Sequence, residues 1–192
     1  MPEIHSVANA SWRKSSTKGG LRRIPFFARL LVVNVIRSVP RVHILSAPIQ
    51  SGKTTFLQEW IKSNPARGIL TPVAPSGREF LDIYRNERFM MEAGGDDAEI
   101  LQVGKYSFSK AGFERAKKVI REGFQGNDWL VIDEIGPLEL KDGGFADVLK
   151  EALKLPGKNL LLVVRQGLVE DVVKKFGIMS FETIIKPPTL NS

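Results

Sequence analysis

The stretch Ala-Pro-Ile-Gln-Ser-Gly-Lys-Thr-Thr at residues 47–55 decides the fold of this chain. It fits the phosphate-loop (P-loop) pattern, which is Gly, four free positions and then Gly-Lys-Ser/Thr, at every position but the first, where Ala47 stands in place of Gly. We expect the methyl group of Ala47 to be tolerated as long as its φ stays negative. An apolar run precedes the loop and residues 55–61 have helical composition, so the loop has the strand and the helix that the pattern requires.

The spacing within the loop suits a bound triphosphate. Successive backbone N–H groups from Gln50 to Thr54 would form a concave anion site at the start of a helix. Gly52 would let the phosphates approach the backbone, Lys53 could bridge the β- and γ-phosphates, and the Thr54 hydroxyl could ligate Mg²⁺. The predicted nucleotide-binding residues are Ala47, Pro48, Ile49, Gln50, Ser51, Gly52, Lys53, Thr54 and Thr55.

A second apolar run, at residues 129–134, ends in two carboxylates, Asp133 and Glu134. A buried parallel strand that ends in acids places them in the crevice where α/β sheets bind ligands. We therefore predict that Asp133 holds Mg²⁺ opposite Thr54 and that Glu134 orients and deprotonates a water molecule. The alternative is that the Asp-Glu pair only begins a solvated loop.

A further cation near the γ-phosphate is expected, because phosphoryl transfer depends on charge neutralisation. Arg165 is the first candidate, since it follows the apolar strand predicted at residues 160–164. With Lys53 and Glu134 it completes the predicted catalytic set. Weaker candidates are Arg78, Arg85 and Arg88. For any single Arg the alternative is an ordinary surface charge.

The remaining pattern predicts an α/β protein with a three-layer fold, a mostly parallel sheet and an added antiparallel β-hairpin. The hairpin arms are residues 68–74 and 78–84, joined at Pro75-Ser76-Gly77. Other strands are predicted at residues 100–108, 160–164 and 181–185, helices at 110–122 (capped by Ser109), 145–155 and 168–176, and turns at 90–97 and at Gly136-Pro137.

Length and charge indicate one domain with a basic extension. The 192 residues are 43% hydrophobic and 26% charged, which is typical of one globular domain, predicted at residues 41–192. The chain has 28 basic and 21 acidic side chains, which give a net charge of +7. Residues 1–43 hold eight of the basic side chains and one of the acidic ones, so the rest of the chain is neutral. A nucleic-acid partner is therefore not expected.

Residues 1–40 have no motif that assigns them a role. Their first half is polar and typical of disorder, and residues 26–36 are too short and interrupted to span a bilayer. Four interpretations remain open: a membrane-surface segment, a targeting peptide, a helix packed on the domain, or a segment that is not native. We favour disorder or a peripheral helix.

The absence of cysteine excludes disulfides, thiolate zinc sites and a cysteine nucleophile, and is consistent with a reducing compartment. We expect a cytoplasmic monomer without a transmembrane segment. The two histidines, His5 and His43, have no partner at ligand or triad spacing, so His43 is predicted to be structural.

Several motifs together resemble one known family. They are Ser-Gly-Lys-Thr-Thr-Phe-Leu from residue 51, the Arg78 hairpin, Val-Gly-Lys-Tyr from residue 103, and Val-Ile-Asp-Glu-Ile-Gly-Pro-Leu-Glu-Leu from residue 131. Over residues 42–186 the chain resembles the thermophile-type nucleoside-triphosphatases. The resemblance implies a P-loop α/β fold and slow, Mg²⁺-dependent hydrolysis of ATP, GTP and other nucleoside triphosphates to diphosphate and phosphate.

The chain departs from the family pattern in two respects, and two other functions are compatible with its sequence. Ala47 replaces the usual Gly, and residues 1–41 have no counterpart in the family. A nucleoside or nucleotide kinase uses the same P-loop with an Arg-bearing lid, which residues 78–88 could imitate. A nucleotide-gated binding module would use slow hydrolysis as a timer, and its protein partner is unknown.

Overall fold

The structure, a computed structural model, describes residues 39–48, 51–75, 77–94, 99–103 and 106–185. The basic extension predicted at residues 1–40 therefore lies outside the described residues, apart from its last two. Ile49 and Gln50 of the predicted P-loop also lie outside them.

Strands and helices alternate along most of the described chain. The strands are β1 (Arg41–Ala47), β2 (Ala66–Leu70), β3 (Val73–Ala74), β4 (Gly77–Asp82), β5 (Glu87–Met90), β6 (Ile100–Val103), β7 (Tyr106–Ser109), β8 (Trp129–Ile135), β9 (Asn159–Arg165) and β10 (Glu182–Ile184). The helices are α1 (Lys53–Ser63), α2 (Lys110–Glu122), α3 (Pro137–Leu140), α4 (Ala146–Ala152) and α5 (Val169–Phe176).

The main sheet has the strand order β10-β1-β9-β8-β2-β4-β3, with β5 paired to β4. The five strands from β10 to β2 are parallel, and β3, β4 and β5 join as antiparallel strands. Strands β6 and β7 form a separate two-stranded sheet. The predicted fold class, a mostly parallel sheet with an added antiparallel hairpin, is confirmed.

Helices cover the sheet on both faces, which gives three layers. Leu130 and Ile132 of β8 pack in the larger core with residues of α2, α4 and α5, whereas Val131 packs in a second cluster with Leu57 of α1. Burial of both faces explains why β8 and β9 are continuous apolar runs rather than alternating ones.

Strand β9 lies between the strand that precedes the P-loop and the strand that carries the two acids. Its register places Arg165 beside Ala47 of β1, and Val163 beside Asp133 of β8. Because parallel strands end at the same edge of a sheet, Ala47, Arg165 and Asp133 lie on one rim.

The structure corrects four predictions of local structure. Residues 100–108 form two paired strands, β6 and β7, instead of one interrupted strand. The first hairpin arm is divided into two strands, β2 and β3, which both pair antiparallel with β4 as the predicted hairpin requires, and β2 also pairs with β8 inside the sheet. Residues 87–90 form β5, whereas Met90 was predicted to begin a turn. Pro137 begins a short helix, α3, instead of closing a turn.

Other boundaries agree with the sequence patterns. Ser109 caps α2 as predicted, because its Oγ accepts the Gly112 N–H at 3.1 Å. Gly177 ends α5 with a φ of 64°, a left-handed conformation that suits glycine. The helix predicted at residues 145–155 is shorter at both ends than expected.

The pairing of β2 with β8 in the middle of the sheet depends on Gly68. It lies in β2 opposite Val131 of β8 and has a φ of 101°, which side-chain-bearing residues rarely adopt. A Cβ at this position would overlap the backbone carbonyl oxygen of Val131. Any side chain here therefore forces β2 and β8 apart.

Gly68→Ala should lower the free energy of unfolding by about 2–5 kcal/mol, the combined cost of a left-handed Ala and of overpacking. Gly126→Ala is the matched control, since Gly126 has a φ of 79° but no described atom within 4 Å of an added Cβ. The control should lose only about 1–2 kcal/mol. Urea unfolding of the three proteins measures this, and equal losses for both variants would contradict the overlap.

Candidate active site

The P-loop lysine begins helix α1 and is held by the loop itself. Gly52 precedes the helix with a φ of 78°, which lets the chain turn sharply from the loop into α1. The Lys53 Nζ donates to the carbonyl oxygens of Ala47 at 2.9 Å and Pro48 at 3.0 Å. The Lys53 side chain is thereby kept at the mouth of the loop, and the residue is only 8% exposed.

Asp133 lies near the C-terminal end of β8 and is buried, with an exposed fraction of 2%. Its Oδ2 accepts the backbone N–H of Thr71 at 2.9 Å. The pKa of Asp133 is raised to about 6, mainly because the carboxyl is buried; the nearby Glu134 carboxylate also raises this pKa, whereas the Thr71 hydrogen bonds and the Lys53 charge lower it. The ionised carboxylate is therefore not fully stabilised by the positive groups around it, and a bound cation would stabilise it.

Glu134 is displaced from the regular pleat of β8. The pairing with β9 shifts between Asp133, which lies beside Val163, and Ile135, which lies beside Val164, so Glu134 is the extra residue of a bulge. A bulge re-aims a side chain, and here Glu134 Oε1 accepts a hydrogen bond from Arg165 Nε at 3.0 Å. The structure thus brings two predicted site residues into contact.

The oxygen groups of this rim suit magnesium. Mg²⁺ prefers hard oxygen ligands, keeps several waters, and is often held by one or two protein groups together with substrate phosphates. Among the described residues there is no cluster of three His, Cys, Asp or Glu side chains that could hold a metal without substrate. Thr54 and Asp133, with its uncompensated buried charge, fit an ion that arrives with a triphosphate.

Glu139 was not predicted as a site residue, although it belongs to the quoted Asp-Glu-Ile-Gly-Pro-Leu-Glu stretch. It is 3% exposed, and its two carboxylate oxygens accept the N–H groups of Gly136 at 2.7 Å and Phe145 at 3.1 Å. Burial raises the pKa of Glu139 against these backbone hydrogen bonds. The side chain fixes residues 136–145 directly after Glu134, so its role is to position the rim.

Of the weaker cation candidates, two are engaged away from this rim. Arg85 forms ion pairs with Asp82 and Glu122, and Arg88 pairs with Glu79. These contacts hold Arg85 and Arg88 beside β4 and the end of α2. Arg78 instead lines a cavity next to Glu134.

This cavity has a volume of about 300 Å³ and is lined by Glu134 and Arg165 and, further from the P-loop strand in the sheet order, by Thr71 after β2 and Arg78 of β4. Its walls are mainly apolar and aromatic. The aromatic residues that line it are Tyr106, Phe108, Phe113 and Phe145.

His43 is placed as a structural residue. Its Nε2 lies 3.2 Å from Glu182 Oε2, and its ring contacts the Trp129 ring at a centroid distance of 4.6 Å. The residue is buried between β10 and β8, on the face covered by α1. Nothing in this arrangement connects it to the P-loop.

The described helices include none with both the length and the apolar character needed to cross a membrane.

The chain is similar to known nucleoside-triphosphatases in sequence and in fold. The family model described as NTPase matches residues 42–185. The nucleoside-triphosphatase THEP1 of Methanopyrus kandleri is 30% identical over 76 residues, which are 40% of this chain and 41% of that protein. The chain thus matches less than half the length of this curated relative.

Two solved structures share the fold. The crystal structure of THEP1 from the hyperthermophile Aquifex aeolicus has a TM-score of 0.56 at 21% identity, over 70% of this chain and 83% of that chain. The solution structure of a human cancer-related nucleoside triphosphatase has a TM-score of 0.52 at 23% identity, over 70% of this chain and 84% of that chain.

The raised pKa of Asp133 predicts a stability cost in the metal-free protein. An unfolded Asp has a pKa of about 3.9. Because the folded-state value of about 6 is higher, ionisation destabilises the fold as the pH rises through this window. Above it the cost is complete, at about 2–3 kcal/mol.

Asp133→Asn should therefore raise the thermal stability of the metal-free protein at pH 7.5, about 1.5 pH units above that pKa. The gain should shrink towards zero near pH 4, the ordinary pKa of Asp. Exposed Asp171→Asn on α5 is the control and should show no such trend. A gain that does not depend on pH would contradict the assignment of the cost to the Asp133 charge.

Proposed function

This chain belongs to the NTPase family, and we propose that it hydrolyses nucleoside 5′-triphosphates to diphosphate and phosphate in the presence of Mg²⁺. The observation that carries the proposal is the contact between Arg165 of β9, the strand beside the P-loop strand β1, and Glu134 of β8, the next strand in the sheet. This contact supports the proposal because a carboxylate that could act as a base and a cation lie together on the rim where the P-loop begins.

Triphosphate binding is assigned to the P-loop. The Lys53 ammonium now has the Ala47 and Pro48 carbonyl oxygens as partners, and phosphate oxygens would replace them with charge-assisted hydrogen bonds. The N terminus of α1, with Gly52 before it, adds backbone N–H groups and the positive end of the helix dipole. The base of the nucleotide has no contact in this assignment.

Thr54 and Asp133 would hold Mg²⁺ from opposite sides, directly or through water. The ion neutralises charge on the β- and γ-phosphate oxygens when it is bound. Asp133 would then lose the desolvation cost that raises its pKa.

Glu134 is assigned as the base that orients and deprotonates the attacking water. Arg165 Nε donates to Glu134 Oε1 at 3.0 Å and so holds the carboxylate in a fixed orientation on the rim. Arg165 is also the cation nearest to Ala47 in the sheet register, so it would stabilise charge that develops on the γ-phosphate. Glu139 keeps the following loop in place through Gly136.

A timer-type binding module would use the same chemistry, but its support lies in the basic residues 1–38, which are outside the described part of the chain. The kinase alternative requires a space beside the triphosphate that can bind a second substrate.

Phosphate release from ATP, GTP, CTP and UTP, with and without Mg²⁺ and without any acceptor, tests the proposal directly. We expect release from several triphosphates, because the assigned contacts read phosphates and not bases, and we expect it to require Mg²⁺. Absence of phosphate release from all four with Mg²⁺ present would disprove hydrolysis.

Lys53→Ala removes the P-loop ammonium and should weaken triphosphate binding and lower kcat/KM by about 10²-fold or more, in the range of lost electrostatic stabilisation. Lys62→Ala is the matched control, because Lys62 lies on the same helix but is exposed and pairs with Glu59. The control should turn over at the wild-type rate. Equal kinetics for all three proteins would show that the loop does not bind the substrate.

Glu134→Gln keeps the shape of the side chain but removes the base. We expect nucleotide affinity to stay within about twofold and kcat to fall about 10² to 10⁴-fold, the usual contribution of general base catalysis. Glu170→Gln, an exposed change on α5, should alter neither. Single-turnover hydrolysis with a fluorescent triphosphate measures both quantities, and an unchanged kcat would assign water activation to another group.

A further inference from the structure

We propose that the 300 Å³ cavity behind Glu134 binds an organic phosphoryl acceptor, a nucleoside-like molecule with a flat ring and a hydroxyl group, so that the protein is also a phosphotransferase. The inference rests on the proposed function, because it uses the same bound triphosphate and the same base.

The strand order puts Glu134, the proposed base, between the P-loop strand and the part of the cavity next to β2 and β4. Across the sheet the strands run β1, β9, β8, β2 and β4, so Arg165 and Glu134 stand between the P-loop and the cavity. The cavity is lined by both of them and, beyond them, by Thr71 after β2 and Arg78 of β4. A molecule in the cavity would therefore contact Glu134 and lie further from the γ-phosphate of a triphosphate bound at the P-loop.

The cavity is larger and more apolar than one attacking water needs. Its volume of about 300 Å³ equals that of about ten liquid waters and is at the lower limit of ligand-binding pockets. An ordered water needs two to four polar partners. Much of the lining is instead apolar, and Phe108, Phe113 and Phe145 are buried in it. Such walls favour an organic molecule over water.

The partly exposed end of the cavity offers the two side-chain groups on which nucleobases stack, an aromatic ring and a guanidinium plane. The Arg78 guanidinium lies 4.5 Å from the centroid of the Tyr106 ring. Its nearest carboxylate, Glu92, is 3.9 Å away, so the ion pair is loose. The loosely paired guanidinium would move off the Tyr106 ring, and the ring of the acceptor would stack on Tyr106 in its place with its hydroxyl group towards Glu134.

The transfer step is balanced by the groups already named. The acceptor hydroxyl oxygen forms a bond to the γ-phosphorus as its proton passes to Glu134. The bond from the γ-phosphorus to the bridging oxygen breaks, and its electron pair leaves with the nucleoside diphosphate. The product is the phosphate ester of the acceptor, and hydrolysis is the same step with water in place of the acceptor.

The test uses the full chain with ATP and Mg²⁺, and adenosine, guanosine, cytidine, uridine and thymidine as separate probes. Phosphate, ADP and phosphorylated nucleoside are quantified by chromatography. We expect at least one nucleoside to become a monophosphate in a saturable reaction that diverts phosphoryl groups from water.

Two variants of Tyr106 and one matched control locate the acceptor. Tyr106→Leu should lower the ratio of nucleoside monophosphate to free phosphate about tenfold, since stacking on one ring is worth about 1–3 kcal/mol. Tyr106→Phe keeps the ring and should keep the ratio. Tyr84→Leu should also keep it, because Tyr84 is the other tyrosine and lies under Arg67, at 3.9 Å, away from this cavity.

The outcomes separate this inference from the proposed hydrolysis. Phosphate release without a monophosphate from any probe would overturn the acceptor pocket and leave hydrolysis standing. A monophosphate without acceptor-free phosphate release would support the pocket and disprove hydrolysis. Transfer that falls equally in Tyr106→Leu and Tyr84→Leu would overturn the placement of the acceptor in this cavity.

Discussion

Parallel strands can be joined only by crossover connections, and this constraint underlies both the core and the site. Each crossover returns the chain to the same end of the sheet, so β1, β8, β9 and β10 all finish at one edge. Helices packed on both faces bury the middle residues of β1, β8 and β9, and the polar groups of the site stand where these strands end. The P-loop, the two acids and Arg165 are gathered at this edge for that reason.

The site is held in a state that costs stability. The Asp133 carboxylate is buried beside Glu134 with one backbone N–H and a nearby ammonium as its main compensation, so its pKa is raised to about 6. Lys53 is likewise held by carbonyl oxygens and not by a carboxylate. Both groups lack the countercharge that a metal–triphosphate complex would bring. If the complex binds as we propose, it would stabilise the fold through the same two side chains.

The rim beyond the P-loop is fixed by hydrogen bonds from the backbone to one acid. Glu139 accepts the N–H groups of Gly136 and Phe145, and this closes the segment that follows Glu134. The segment forms one wall of the aromatic cavity, whereas β7 and β4 form others. The bulge at Glu134 lies where the two regions meet, which is the reason for our proposal that this side chain acts on a water or on a larger nucleophile.

Local patterns in the sequence were enough to determine the P-loop, the capped helix α2 and the buried strands β8 and β9, because each depends on contacts between near neighbours or on a continuous apolar run. They also indicated Asp133, Glu134 and Arg165 as residues at strand ends. Strand order was not accessible in this way, because the insertion of β9 between β1 and β8 depends on pairing between residues more than 100 positions apart. The bulge that turns Glu134 towards Arg165, the anchoring by Glu139, the division of residues 100–108 into two strands and the aromatic cavity were decided by tertiary structure alone, since packing between distant elements sets where each side chain points.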